Sequence, residues 1–332
     1  MDSVTHIVLG ACVGEVVMDK KAGKKAMLWG ALAQSVPDID FINGAWMPLT
    51  KELMAHRGIT HSFLFAFVVS LFLALVASKW HKKDAISTSK WFSFFLIEVL
   101  IHLLLDSLNN YGTGLLEPFS TERIAFNILY VADPMFTIIP LFVFFFLLFS
   151  KMDHLHRIKW ARIGILAPVF YCCFALLNKF NIEKSVAKHV THSSKYFTAP
   201  TLLNNFLWTA VIQDSTGFQV GYKSIFSKNE FVFTRFEQHE TYLDSIHDHQ
   251  EVMDLKVFSQ GFYTLEKWND TLVFNDLRFG QINGWENPSS KFAFHYFLSH
   301  PANNDLVVQR GRFAALNVRS AKKLWTRMFD LK

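Results

Sequence analysis

His102 and Asp106 lie four residues apart in an apolar run that also carries Glu98. On a helix this spacing stacks an imidazole over a carboxylate on one face, so the two can chelate one ion. Glu98, four residues further back, shares that face. It is expected to accept the second ring N–H of His102, as carboxylates do for metal-bound histidines. Ionisable groups in an apolar run are costly, and three on one face point to function rather than packing. A His and Asp set without thiolate suits zinc, with manganese or iron as alternatives.

Further ionisable residues gather near this pair in the pattern of the chain: His6, Asp38, Asp40, His56, Arg57, His61 and Asp133. His56 and His61 are five apart, about 140° on a helical wheel, so they would diverge on one regular helix. They converge if Gly58 breaks the helix and Thr60 or Ser62 caps the next. Asp38 and Asp40 follow Pro37 and suit a turn as well as a ligand pair. Arg57 can hold a phosphate oxygen or anchor at a membrane interface. Asp133, before Pro134, reads as a helix cap. His239, His247 and His249 read as a solvated loop.

The elements that must position these residues are apolar. Of 332 residues, 51% are hydrophobic and only 18% charged, below the quarter usual in soluble domains. That excludes a disordered chain and argues for membrane embedding. Four runs, 62–78, 91–105, 134–150 and 160–178, are expected to span. Two shorter segments rich in small residues, 5–18 and 26–36, precede them. Met1 to Thr5 lacks the positive start of a cleavable signal peptide.

The fold class expected is an all-α membrane helical bundle, with about four spanning helices and two short N-terminal ones, followed by a smaller α+β, β-rich domain. The divisions expected are 1–178 in the membrane, 179–198 as linker and 199–332 outside it. Alternation places strands at 218–226, 231–236, 255–262 and 271–279, and a basic amphipathic helix at 319–329.

Lysines and arginines cluster in three connections: Lys20 to Lys25; Lys79, Lys82, Lys83 and Lys90; and Lys151, Arg157, Lys159 and Arg162. The connection 107–133 holds only Arg123. The positive-inside rule puts the three basic turns in the cytoplasm and the ionisable residues at the outward helix ends. The net charge of +5 therefore reads as topology, with no nucleic-acid partner expected. The three cysteines fit neither a metal motif nor a disulfide framework.

The stretches His56-Arg57-Gly58-Ile59-Thr60-His61-Ser62 and His102-x-x-x-Asp106-Ser107-Leu108-Asn109-x-Tyr111-Gly112-Thr113, with Pro37-Asp38-Ile39-Asp40 and Thr5-His6, resemble the YdjM-type inner-membrane family of metal-dependent hydrolases. The resemblance covers roughly 1–150. It implies a distant relation to the all-α zinc phospholipase C and single-strand nuclease fold. It further implies that Asp38 or Asp40, His56 or His61, and His102 with Asp106 hold a metal, with His6 like the early histidine of a neighbouring ion. The later ligands of the soluble enzymes are missing, which implies one or two ions.

The function expected is metal-assisted hydrolysis of an ester, foremost a phosphoester, at the outer face of a bacterial inner membrane, where the location alone suggests a lipid or lipid-linked substrate. Arg57 and whichever of Asp38 and Asp40 is not a ligand would assist catalysis. The alternatives are an ion or metal transporter and a non-catalytic metal-stabilised scaffold. The former would spread polar groups along the spans, and the latter would close the metal shell.

Overall fold

The computed structural model describes residues 1–18, 22–191, 194–246, 249–298, 304 and 318–331. Lys20, Lys21 and His247 lie outside the described residues. The chain divides into two compact units, one of 1–46 with 55–175 and one of 47–54 with 176–332.

The first unit is helical. Its helices are α1 (Ser3–Val17), α2 (Lys25–Ala33), α4 (Phe63–Trp80), α5 (Thr88–Ser107), α6 (Pro134–Phe149) and the greater part of α7 (His154–Val186); α3 (Leu49–Ala55) lies almost wholly in the other unit. Side-chain oxygens of Asp2, Ser62, Ser87 and Asp133 cap α1, α4, α5 and α6 by accepting from free backbone N–H groups. Phe67 and Phe72 on α4, Phe142 and Phe149 on α6 and Phe170 on α7 are exposed, as lipid-facing side chains are.

Among the described residues three helices are long and apolar enough to cross a membrane: α4, α5 and α7. The run 134–150, expected to span, forms only the 16-residue α6. At 1.5 Å per residue it rises about 24 Å, short of a hydrocarbon core of about 30 Å. Helix length among the described residues thus supports three of the four expected spans.

Helices α1 and α2 touch at Gly10 and Gly30. A Cβ on Gly30 would fall 2.1 Å from the Gly10 carbonyl oxygen, and one on Gly10 would fall 2.5 Å from that of Gly30. Both obstacles are backbone, so Gly30→Ala must push the helices apart. It is expected to cost roughly 1–3 kcal/mol or more, read as a lower melting temperature in detergent. Further along α1, Glu15 and Arg157 form a buried bidentate ion pair, with both contacts at 2.7 Å. Arg157 is thus buried and paired within the helical unit.

Among its described residues the second unit holds two antiparallel sheets. One has the order β1 (Tyr196–Pro200), β2 (Leu207–Gln213), β3 (Gly217–Ser224), β4 (Phe233–Glu237); the other runs β5 (Tyr263–Trp268), β6 (Thr271–Gln281), β7 (Phe292–Phe297). Phe197, Val211 and Phe218 share a core with Phe262, Leu277, Phe292 and the apolar face of the last helix, α9 (Val318–Met328).

The expected strand at 255–262 is instead the end of α8 (His249–Phe258) and a turn. Val252, Leu255 and Phe258 are buried at intervals of three, a helical period that the short alternation disguised. The expected linker 179–198 is also partly regular. α7 continues to Val186, supported by the Lys179–Glu183 pair at 3.1 Å and by Ile182 and Val186 packing on Trp208, while β1 begins at Tyr196.

Candidate metal centre

Three stretches of the first unit meet at the carboxyl end of α5. Pro37 opens a 3-10 segment (Pro37–Ala45) after α2 and brings in Asp38 and Asp40. The break foreseen at Gly58 occurs. α3 ends at Ala55, a 3-10 turn (Ile59–His61) follows, and Ser62 caps α4 by accepting from Phe65 N at 3.1 Å. α5 supplies His102 and Asp106, one turn apart.

Asp38, His61, His102 and Asp106 each offer one ligand atom, and those atoms all lie within 4.8 Å of one another. His61 Nε2 stands 3.1 Å from Asp106 Oδ2, 3.5 Å from Asp38 Oδ1 and 3.1 Å from His102 Nε2. His61, His102 and Asp106 are completely buried, while the Asp38 side chain keeps 24% of its surface exposed. The accessible side of the cluster is therefore the Asp38 side.

The chemistry of the set calls for a cation. His102 Nδ1 faces the main-chain oxygen of Gln34 at 2.6 Å and must donate to it, so Nε2 presents a lone pair. Asp106 Oδ2, also buried, faces His61 Nε2, Arg57 Nε and His102 Nε2 at 3.1, 3.2 and 3.5 Å. Burial opposes a charge on His61, yet hydrogen bonds to Asp106, Asp38 and Asp40 outweigh it and raise the imidazole to about 10. A proton on His61 supplies positive charge among these carboxylates, and an ion held by the four would take its place. Two imidazoles and two carboxylates suit zinc, manganese or iron.

Asp40, expected as a ligand or as an assisting carboxylate, stands beside the four rather than among them. Its Oδ2 accepts from Arg57 N at 2.8 Å and Thr60 Oγ1 at 3.0 Å and faces His61 Nδ1 at 3.3 Å. Its Oδ1 meets His56 Nδ1 at 3.1 Å. Burial disfavours its charge, but the bonds from His56 and His61 prevail and hold the carboxyl well below the usual range. A carboxylate so engaged orients His61. Asp38 is likewise held below its ordinary value: burial raises it, and His61, His102 and His6 lower it further.

His56 is outside the four, its ring centre 6.2 Å from that of His61 and its side chain 36% exposed. His6 stacks on His102 at 3.9 Å and reaches Asp106 Oδ1 at 3.3 Å, beside the four rather than among them. The Met1 amino group also meets Asp106 Oδ1. Arg57 is buried, with Nε 3.2 Å from Asp106 Oδ2 and Nη1 donating to Asn109 Oδ1 at 2.8 Å. Its guanidinium is committed to the protein. Asp133 caps α6 and accepts from Tyr171 at 2.8 Å.

Glu98 does not bond to His102. It accepts from Gln34 Nε2 at 3.0 Å, and Gln34 is the residue whose main chain holds His102. Gln34 carried no signal in the sequence, because a main-chain acceptor leaves no residue signature. Asn109 and Thr60, present in the motif stretches, acquire their partners only in three dimensions.

The profile of the YdjM inner membrane protein family matches residues 1–182, more than half of the chain. Inner membrane protein YbcI of Escherichia coli (strain K12) is 30% identical over 122 residues, 36% of this chain and 69% of that protein. Uncharacterized protein YfhP of Bacillus subtilis (strain 168) is 30% identical over 145 residues, 40% of this chain and 42% of that protein. No solved structure matches.

Proposed function

Starting from the fact that the chain belongs to the YdjM inner membrane protein family, we propose that it is a metal-dependent hydrolase of phosphoesters. The observation that carries the reading is the convergence of Asp38, His61, His102 and Asp106 within 4.8 Å. These four would hold one divalent ion. When bound, it would supply positive charge against a developing phosphoryl oxyanion and lower the pKa of water.

The protein's own groups do the rest. Asp40 orients His61, the Gln34 carbonyl orients His102, and Arg57 offsets the charge of Asp106. His56, tethered through Nδ1 to Asp40 and part-exposed, is the group placed to take a proton at Nε2. Asp38 marks the open side. Ile39, Phe41 and Trp46, exposed on and just after the same 3-10 segment, give that side an apolar rim, which suits a substrate with a hydrocarbon chain.

The basic residues Lys79 and Lys90 sit at the ends of α4 and α5 remote from the cluster, which supports an extracytoplasmic site. The transporter reading draws less support, because the four groups of the cluster crowd one end of the helices, and the buried Glu15 further along α1 is already paired with Arg157.

The test is a screen of zinc- and manganese-loaded protein in detergent against a chromogenic phosphodiester, a phosphomonoester and a phospholipid. Turnover of one class is expected. His56→Ala should keep the metal while lowering the rate about 10²–10⁴-fold. Full metal loading without turnover of any phosphoester would overturn the hydrolase reading in favour of the scaffold.

A further inference from the structure

We infer that Glu98 is a positioning residue for the metal centre, acting on His102 through Gln34; the inference rests on the metal-site reading above. Gln34 caps the end of α2 and faces α5 with two groups at once. Its main-chain oxygen takes the His102 ring N–H at 2.6 Å, and its side-chain Nε2 donates to Glu98 Oε2 at 3.0 Å. Glu98 and His102 are one helical turn apart on α5, so a single residue of α2 is pinned by the first and in turn fixes the second. All three side chains are fully buried.

The surroundings leave this linkage little freedom. The crossing of α1 and α2 lies against it: a Cβ on Gly30 would fall 2.7 Å from Glu98 Oε1, and one on Gly10 3.1 Å from Gln34 Cγ. Glu98 Oε1 and Gln34 Oε1 are both buried without a hydrogen-bond partner. A carboxyl proton on Glu98 would serve both oxygens and close an acid–amide pair. Glu98 then works as a hydrogen-bonding group. It is neither a metal ligand nor a fixed charge. Groups that orient a metal-bound histidine change metal affinity by roughly 10–100-fold.

The experiment measures zinc affinity of the full chain in detergent by competition with a chromophoric chelator, for wild type, Glu98→Gln, Glu98→Leu and Gln34→Leu. The visible spectrum of the cobalt-loaded forms reports ligand geometry. Glu98→Gln keeps an oxygen for Gln34 Nε2 and is expected within about threefold of wild type, whereas Glu98→Leu and Gln34→Leu should bind roughly 10–100-fold more weakly with an altered cobalt spectrum. If Glu98→Leu does not fold, Glu98→Gln and Gln34→Leu still decide the matter. Glu98→Gln binding as weakly as Gln34→Leu would overturn the inference in favour of a charge role. Wild-type affinity and spectrum in Glu98→Leu or Gln34→Leu would overturn it outright. A wild-type protein that binds neither zinc nor cobalt would instead sink the metal reading itself.

Discussion

Asp106→Asn is expected to abolish measurable metal binding and, in the same step, to destabilise the protein by about 3–5 kcal/mol, the cost of stranding a buried charge. Asp106 is fully buried and shared by many partners. Its Oδ2 faces His61, His102 and the Arg57 guanidinium, and its Oδ1 faces His6 and the Met1 amino group. An amide of the same shape keeps the packing but removes the charge that holds these donors together. Arg57 would then retain Asn109 as a partner but no carboxylate. Equilibrium unfolding in detergent, with and without zinc, separates the two effects. The wild type should gain stability with zinc and the variant should gain none.

Arg57→Leu is the converse. It removes the cation beside Asp106 and should cost the metal-free protein about 3–5 kcal/mol, because the buried carboxylate is left short of positive charge. A bound ion restores that charge, so the same substitution should cost distinctly less with zinc present. The double variant Arg57→Leu with Asp106→Asn strands neither charge, and its destabilisation should fall well short of the two single effects added together. Melting curves of the four proteins test this. Simple additivity would show that Arg57 and Asp106 act independently and that their 3.2 Å contact carries no coupling.

Much of this site was legible in the sequence because its strongest part is local. His102 and Asp106 share a helix face by spacing alone, and Gly58 with Ser62 marked the break that separates His56 from His61. The choice between Asp38 and Asp40 was not local. Two residues apart in a 3-10 turn, they point to different sides. Which one faces the cluster is fixed by Arg57 N–H and Thr60 Oγ1, which occupy Asp40. Glu98 was legible as a buried acid, but its partner was not, since Gln34 comes from another helix and holds His102 with its backbone.

The same division runs through the fold. The apolar runs became helices α4 to α7, recognisable from composition, with Ser62 before α4 and Asp133-Pro134 at α6 as start signals. The pairing of Glu15 with Arg157 joins residues 142 apart and left no mark on either stretch alone. In the second unit, β6 was visible as alternation over 271–279, whereas β7 (Phe292–Phe297) is almost uniformly apolar and buried along its length, so no alternation announced it.

Asp38, His61, His102 and Asp106 are proposed to hold a divalent ion. The most direct test is elemental analysis of the purified full chain, prepared without chelator and reconstituted with zinc or manganese. Close to one equivalent of metal per chain is expected, lost on His102→Ala. A well-folded wild-type protein that retains no metal after reconstitution would contradict it.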